Sequence, residues 1–180
     1  GLGTLFLWSC YFFRDPDRQP ADDDEDIIVS PADGRVQKIE VVDEPTFFQG
    51  PARRITIFLS IFDVHVQRMP YAGEVTCLHY RPGSFAPAFA ESADDNESNL
   101  VGLETAQGPL AVVQLTGAIA RRIICRCDVG DSLERGERYG LIKFGSRVDL
   151  YLPIEVEVLV CEGQCVAGGS TSVARWPLSP

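Results

Sequence analysis

The sequence predicts a mainly β fold: a single-domain barrel or sandwich with a few short helices. Three observations point there. Short segments rich in Val, Ile, Phe and Tyr recur along the chain, Gly, Pro and Asp bound them, and helical periodicity is weak throughout. A length of 180 residues suits one compact domain, and an apolar fraction of 45% excludes a disordered chain.

The elements follow in order. Residues 1–13 carry no charged side chain and include Leu2, Leu5, Phe6, Leu7, Trp8, Tyr11, Phe12 and Phe13. A membrane-spanning helix needs about 20 apolar residues, so this stretch is too short to cross a bilayer as it stands. Trp8 and Tyr11 beside a charged boundary suit a membrane interface, and we read residues 1–13 as an apolar membrane-associating segment, the tail of a truncated anchor. An ordinary buried first strand or helix is the competing reading. Neither the basic leading region nor the small-residue cleavage site of a secretory signal is visible. Residues 14–180 form the body. The charged run Arg14-Asp15-Pro16-Asp17-Arg18 and the acidic run Asp22–Asp26 read as solvated linkers.

Ile27–Val29 reads as a first strand, leading into the turn Ser30-Pro31-Ala32-Asp33-Gly34. Further strands are expected at Arg35–Val42, Arg54–Leu59, Val64–Arg68, Glu74–Tyr80, Leu110–Leu115, Arg121–Cys127 and Arg147–Leu152. Thr116–Arg122 is the best short helical signal. Arg81–Asn99 is polar and irregular, opens with Pro82-Gly83, and suits a lid or substrate loop.

Charge and cysteines narrow the partners. With 26 Asp and Glu against 16 Lys and Arg, the formal charge is −10, and no basic run suits a nucleic acid. The same acidity repels an anionic membrane, so membrane contact must be local. Of six cysteines, Cys125 and Cys127 share one strand face by their spacing. Cys161 and Cys165 are separated by three residues, and Cys10 and Cys77 stand alone. None has zinc-site spacing, and we read them as buried, reduced thiols in a cytosolic compartment.

The sharpest chemical signal is Val166-Ala167-Gly168-Gly169-Ser170-Thr171-Ser172. Glycines allow close approach of a hydroxyl to the preceding carbonyl. A serine there can attack that carbonyl to form an ester. Elimination then breaks the chain, and hydrolysis leaves a pyruvoyl group. By itself the motif is more often a flexible turn. A hydrolase elbow is disfavoured because Ser172 stands where it would need glycine.

Context changes that balance. Phe13-Arg14-Asp15-Pro16, Ser30-Pro31-Ala32-Asp33-Gly34, Phe62-Asp63-Val64-His65-Val66-Gln67-Arg68-Met69-Pro70, Phe144-Gly145-Ser146-Arg147-Val148-Asp149 and Gly168-Gly169-Ser170-Thr171 follow in this order. Together they resemble the phosphatidylserine decarboxylase family in its short form, over nearly the whole chain. The resemblance implies self-cleavage between Gly169 and Ser170, giving a large chain 1–169 and a small chain 170–180. It implies a pyruvoyl cofactor formed from Ser170, with no metal. The implied substrate is a serine phospholipid, diacyl or ether-linked, whose carboxylate leaves as CO2. The implied location is the cytoplasmic face of a membrane. Oligomeric state stays open, a homo-oligomer included.

Site residues carry over one at a time. Asp33 matches the acidic member of the family's Asp-His-Ser triad, and its carboxylate could hold an imidazole in one tautomer. Asp33 also suits a turn in its own right. His65 is one of two histidines and the first candidate for acid–base work, although a satisfied core histidine would look the same. We expect it to activate Ser170 and later to protonate the decarboxylated intermediate. Arg68 occupies the place of a second family histidine. Arginine cannot act as a base, and its fork suits a substrate carboxylate or phosphate, with a surface ion pair equally plausible. Ser84 and Phe85 are expected at the substrate entrance from their loop position. His79 matches no motif and suits a structural or surface role.

Two other classes stand beside this reading. The rhythm Val129-Gly130-Asp131…Gly136 resembles barrel-sandwich carrier domains of the lipoyl or biotinyl type, with Lys143 as the modified residue. That reading leaves Asp33, His65 and Gly169-Ser170 unexplained, and shared architecture does not fix function. A non-catalytic, membrane-bound interaction domain is the other.

Overall fold

A computed structural model describes residues 1–88, 94–117, 122–142 and 146–177. One helix, α1 (Leu2–Phe12), precedes fourteen strands: β1 (Ile27–Val29), β2 (Gly34–Glu44), β3 (Gly50–Leu59), β4 (Val66–Arg68), β5 (Gly73–Arg81), β6 (Ser98–Glu104), β7 (Pro109–Leu115), β8 (Ile123–Cys125), β9 (Ser132–Leu133), β10 (Arg138–Ile142), β11 (Ser146–Leu152), β12 (Glu157–Val158), β13 (Cys165–Val166) and β14 (Ser172–Arg175). The mainly β expectation holds. Every strand pairing is antiparallel.

An eight-stranded sheet in the order β13-β2-β3-β11-β7-β6-β5-β9 curls into a half-barrel. Two three-stranded sheets, β1-β14-β12 and β4-β10-β8, complete the body. Ile28 of β1, Tyr139 and Ile142 of β10, and Ile55, Ile57, Val101, Val112 and Leu150 of the large sheet belong to one buried cluster, so all three sheets share a core. Truncating any of these large aliphatics to alanine costs about 2–5 kcal/mol. A smaller cluster, Ala52, Leu100, Ala111 and Tyr151, lies apart from that core.

Register explains how distant sequence segments meet. Arg35 pairs with Phe58, Ser146 with Leu59, Arg147 with Leu115, Leu115 with Ser98, and Ser98 with Arg81. One end of the large sheet therefore gathers the turn before β2, the loop between β3 and β4, and the segment after β13. These carry Asp33, His65 and Gly168–Ser170.

Several sequence expectations are corrected. His65 was expected within a strand at Val64–Arg68, but β4 begins at Val66, so His65 closes the preceding loop. The expected strand Arg121–Cys127 narrows to Ile123–Cys125, with Arg121 outside the described residues. The irregular stretch Arg81–Asn99 ends inside β6, which begins at Ser98. Residues 89–93 of that stretch, and 118–121 of the Thr116–Arg122 helical signal, lie outside the described residues, as do Lys143, Phe144 and Gly145. The run Arg14–Arg18 is no solvated linker, because its side chains pair with Asp33, Arg68 and Arg138. Cysteines also depart from expectation. All six are free, but only Cys127 is buried, while Cys10, Cys161 and Cys165 are exposed. Cys125 and Cys127 do face one another, with Sγ atoms 3.4 Å apart.

Helix α1 is too short for a bilayer: among the described residues no helix is long and apolar enough to cross a membrane. It is apolar nearly all round, leaving Leu2, Phe6 and Leu7 exposed while Phe12 is buried. Beside it, Ile61 and Phe62 of the β3–β4 loop are also exposed, and Arg14 donates to the Phe62 carbonyl at 2.7 Å.

Candidate active site

The segment around the Gly169–Ser170 bond is held by its backbone. Gly168 N–H donates to Asp33 Oδ1 at 2.8 Å, and Gly169 N–H to the Ser30 carbonyl at 2.8 Å. Ser170 and Thr171 N–H both donate to the Ala167 carbonyl, at 3.1 and 3.0 Å. Thr171 Oγ1 accepts from Ala167 N–H at 2.9 Å. Four consecutive amides are thus committed, which fixes the Gly169 carbonyl that lies between them.

Gly169 itself is required by shape. Its φ of +73° lies in the left-handed region, and a Cβ there would come 2.4 Å from Arg68 Cδ. Arg68 lies against this glycine and is only 5% exposed. Its Nη1 donates to the Gly136 carbonyl at 3.1 Å, and its Nη2 to Asp15 Oδ1 and the Pro16 carbonyl at 2.9 and 3.0 Å. Asp15 in turn accepts from Arg138 Nε at 2.5 Å. A chain of contacts therefore runs from Gly169 through Arg68 and Asp15 to Arg138.

Asp33 has both oxygens engaged, since Oδ2 accepts from Arg18 Nη2 at 2.9 Å. The tautomer-holding role expected of it falls instead to a backbone group. His65 Nδ1 lies 2.8 Å from the Asp63 carbonyl, which can only accept, so the hydrogen sits on Nδ1. The Asp63 carboxylate accepts from Ser60 N–H and Ser60 Oγ, each at 2.7 Å, and so fixes the loop that presents this carbonyl. His65 Nε2 keeps its lone pair. It is buried and has no hydrogen-bond partner among the described residues. Burial pushes the His65 pKa below its ordinary value of 6.5, against the Asp63 carbonyl and the charges of Asp63 and Asp33, which raise it. A buried, neutral imidazole with a free Nε2 has the form of a general base.

His65 opens onto a cavity of about 220 Å³ lined by Phe12, Phe13, Arg14, Asp15, Val66, Arg126, Arg138, Gly140 and Leu141. Phe12 stacks on the imidazole with ring centres 4.3 Å apart, so α1 forms part of the roof. Cavity and cleavage segment are joined by the Arg68–Asp15–Arg138 contacts. Asp15, Arg18, Asp63 and Phe12 contribute to the site unexpectedly. The runs Phe13-Arg14-Asp15-Pro16 and Phe62-Asp63-Val64-His65 pointed towards Asp15 and Asp63 as motif members, without their roles.

Other expected residues lie elsewhere. Ser84 Oγ contacts Asn96 Oδ1 and the Asp95 carbonyl, at 3.0 and 3.3 Å, and Phe85 is 39% exposed. They belong to the β5–β6 loop and do not line the His65 cavity. Arg147 and Asp149 form a buried bidentate pair along β11, at 2.8 and 2.6 Å, so this motif braces the central strand of the large sheet. His79 is exposed and lines a separate recess of about 230 Å³ with Arg54, Asp149 and Tyr151.

Comparison with known proteins shows the family. The sequence profile of the phosphatidylserine decarboxylase family matches residues 5–174. The phosphatidylserine decarboxylase proenzyme of Carboxydothermus hydrogenoformans is 49% identical over 173 residues, covering 95% of this chain and 81% of its own. Those of Rickettsia africae and Symbiobacterium thermophilum are 48% and 46% identical, covering 93% and 98% of this chain and 74% and 82% of their own.

Proposed function

The chain belongs to the phosphatidylserine decarboxylase family, and from that premise we propose that it is a self-cleaving, pyruvoyl-dependent decarboxylase of a serine phospholipid. The observation that carries the reading is the grip on the cleavage segment: Asp33 binds Gly168, and Arg68 packs on Gly169. Two residues expected to act in the site thus bracket the carbonyl that Ser170 must attack.

The residues present fit formation of the group. Gly169 turns through a backbone conformation that leaves its carbonyl fixed by neighbouring amides, and Ser170 is only half-buried. His65 supplies a neutral Nε2, without a hydrogen-bond partner among the described residues, as the base that removal of the Ser170 hydroxyl proton needs. Attack by Ser170 Oγ on the Gly169 carbonyl breaks the amide and leaves an ester. Loss of the Ser170 α-proton then releases the Gly169 carboxylate and leaves a dehydroalanine, which takes up water and gives off ammonia to become a pyruvoyl group. A pyruvoyl group so formed supplies the electron sink for loss of CO2 from an amine-bearing carboxylate. In that reaction His65 holds or moves the proton that replaces the carboxylate. Phe12, Phe13, Val66 and Leu141 keep the carboxylate poorly solvated.

The lipid reading draws on the same end of the fold. Leu2, Phe6 and Leu7 of α1 are exposed, as are Ile61 and Phe62, whose loop meets the end of α1 where Phe12 lines the His65 cavity. That apolar face suits a membrane surface, on its cytoplasmic side. Ser84 and Phe85 keep a place as outer contacts of a lipid chain. The test is release of CO2 from phosphatidylserine in detergent micelles by the wild type and by Ser170→Ala. Release by the wild type alone supports the reading, and equal release by both contradicts it.

A further inference from the structure

The His65 cavity carries a local charge opposite to that of the chain. Against a net charge of −10, its lining holds Arg14, Arg126 and Arg138 with one carboxylate, Asp15. Arg14 is spent on the carbonyls of Tyr11 and Phe62, at 2.9 and 2.7 Å. Arg138 is paired with Asp15 and Asp17. Among the described residues Arg126 has no carboxylate partner. Its backbone is fixed, with its N–H donating to the Tyr139 carbonyl at 2.9 Å, while its side chain is exposed at the cavity wall.

We propose that Arg126 forms a binding site for the phosphodiester of the lipid headgroup. The inference rests on the decarboxylase reading above and assigns the substrate phosphate a place in it. Arg68, the arginine first expected to bind the substrate anion, is buried and engaged with Asp15, Gly136 and Pro16.

The chemistry also decides which anion Arg126 takes. The carboxylate loses its charge as CO2 leaves, so a guanidinium on it would stabilise the ground state more than the transition state. The phosphodiester keeps its charge throughout, and binding it costs the chemical step nothing. Its fork of donors suits phosphate oxygens. The apolar wall of Phe12, Phe13, Val66 and Leu141 is left to the carboxylate.

The test is calorimetric binding of two soluble ligands to the purified full chain: dihexanoyl phosphatidylserine, and O-decanoyl serine, which lacks the phosphate. Arg126→Ala should weaken the first about tenfold, as loss of one charge-assisted hydrogen bond predicts, with Arg126→Lys recovering part of it. Affinity for O-decanoyl serine should not change. Equal weakening of both ligands, or of neither, overturns the proposal. Release of CO2 by the wild type reports on the decarboxylase reading separately. No release, with the phosphate-selective loss intact, sinks that reading and leaves the phosphate site standing.

Discussion

Asp33 reaches the backbone of Gly168, 135 residues away in sequence, at 2.8 Å, and it does not reach His65 through a hydrogen bond. Its hydrogen bonds thus go to Gly168 and Arg18, and only its charge reaches the imidazole. Asp33→Asn offers Gly168 an equivalent acceptor but abandons the charge that holds Arg18. Asp33→Ala removes both. We expect self-cleavage to slow more in the alanine variant, by roughly tenfold or more if one charge-assisted hydrogen bond is lost. Gel densitometry of intact and cleaved chains over time measures it.

His65 gives a pH dependence with a definite sign. Its pKa is lowered by burial, so the unfolded chain takes up a proton near 6.5 and the folded one only at lower pH. Its contribution to stability is therefore complete above 6.5 and is lost as pH falls towards the folded value. The proposed base role needs the neutral form, so the cleavage rate should rise with pH through an inflection below 6.5. His65→Gln should remove this component of both profiles.

Phe12 sets that inflection. Phe12→Ala uncovers an imidazole now stacked at 4.3 Å, and the cleavage inflection should move up towards 6.5. The same change should cost about 3–5 kcal/mol of stability, as emptying a buried aromatic site does. Chemical denaturation and the rate profile read the two effects separately.

Gly169→Ala should block cleavage. A side chain at φ +73° is strained by about 1–2 kcal/mol. The added methyl also meets Arg68 Cδ at 2.4 Å. A variant that cleaves at the wild-type rate would show that the segment rearranges before reaction.

Phe6, Leu7 and Phe62 are exposed and outside the core, so changing all three to serine should leave cleavage intact. Sedimentation with phosphatidylserine vesicles should fall severalfold, because apolar burial drives such binding. Unchanged sedimentation would move the membrane contact elsewhere.

Much of this arrangement was legible in sequence, and the losses have physical causes. β1 was bounded correctly because Ile27–Val29 is wholly apolar and followed by turn residues. β6 was missed because all but its last residue are buried, which erases alternation, and because Asn99 and Gly102 interrupt the apolar run. Gly102 is there for Phe47, whose ring lies 2.5 Å from where a Cβ would stand. Two-residue strands such as β9 and β13 are too short to show a period. Asp33, His65 and Ser170, the proposed site residues, stand out in sequence as motif members. Asp15 and Asp63 also lie in those motifs, but the motifs do not show that Asp63 holds His65 through its backbone carbonyl or that Asp15 pairs with Arg68, and Arg18 sits in a run that resembles a linker. Long-range ion pairs leave no periodic trace.

The central claim is that Gly169 and Ser170 part and that Ser170 becomes the cofactor. Intact mass of the purified protein under denaturing conditions tests it most directly. Two fragments meeting at Gly169/Ser170 are expected, the smaller about 17 Da lighter than a peptide starting with unmodified serine, the shift expected when a ketone replaces its amine and hydroxyl. A single full-length mass after prolonged incubation at neutral pH would contradict it.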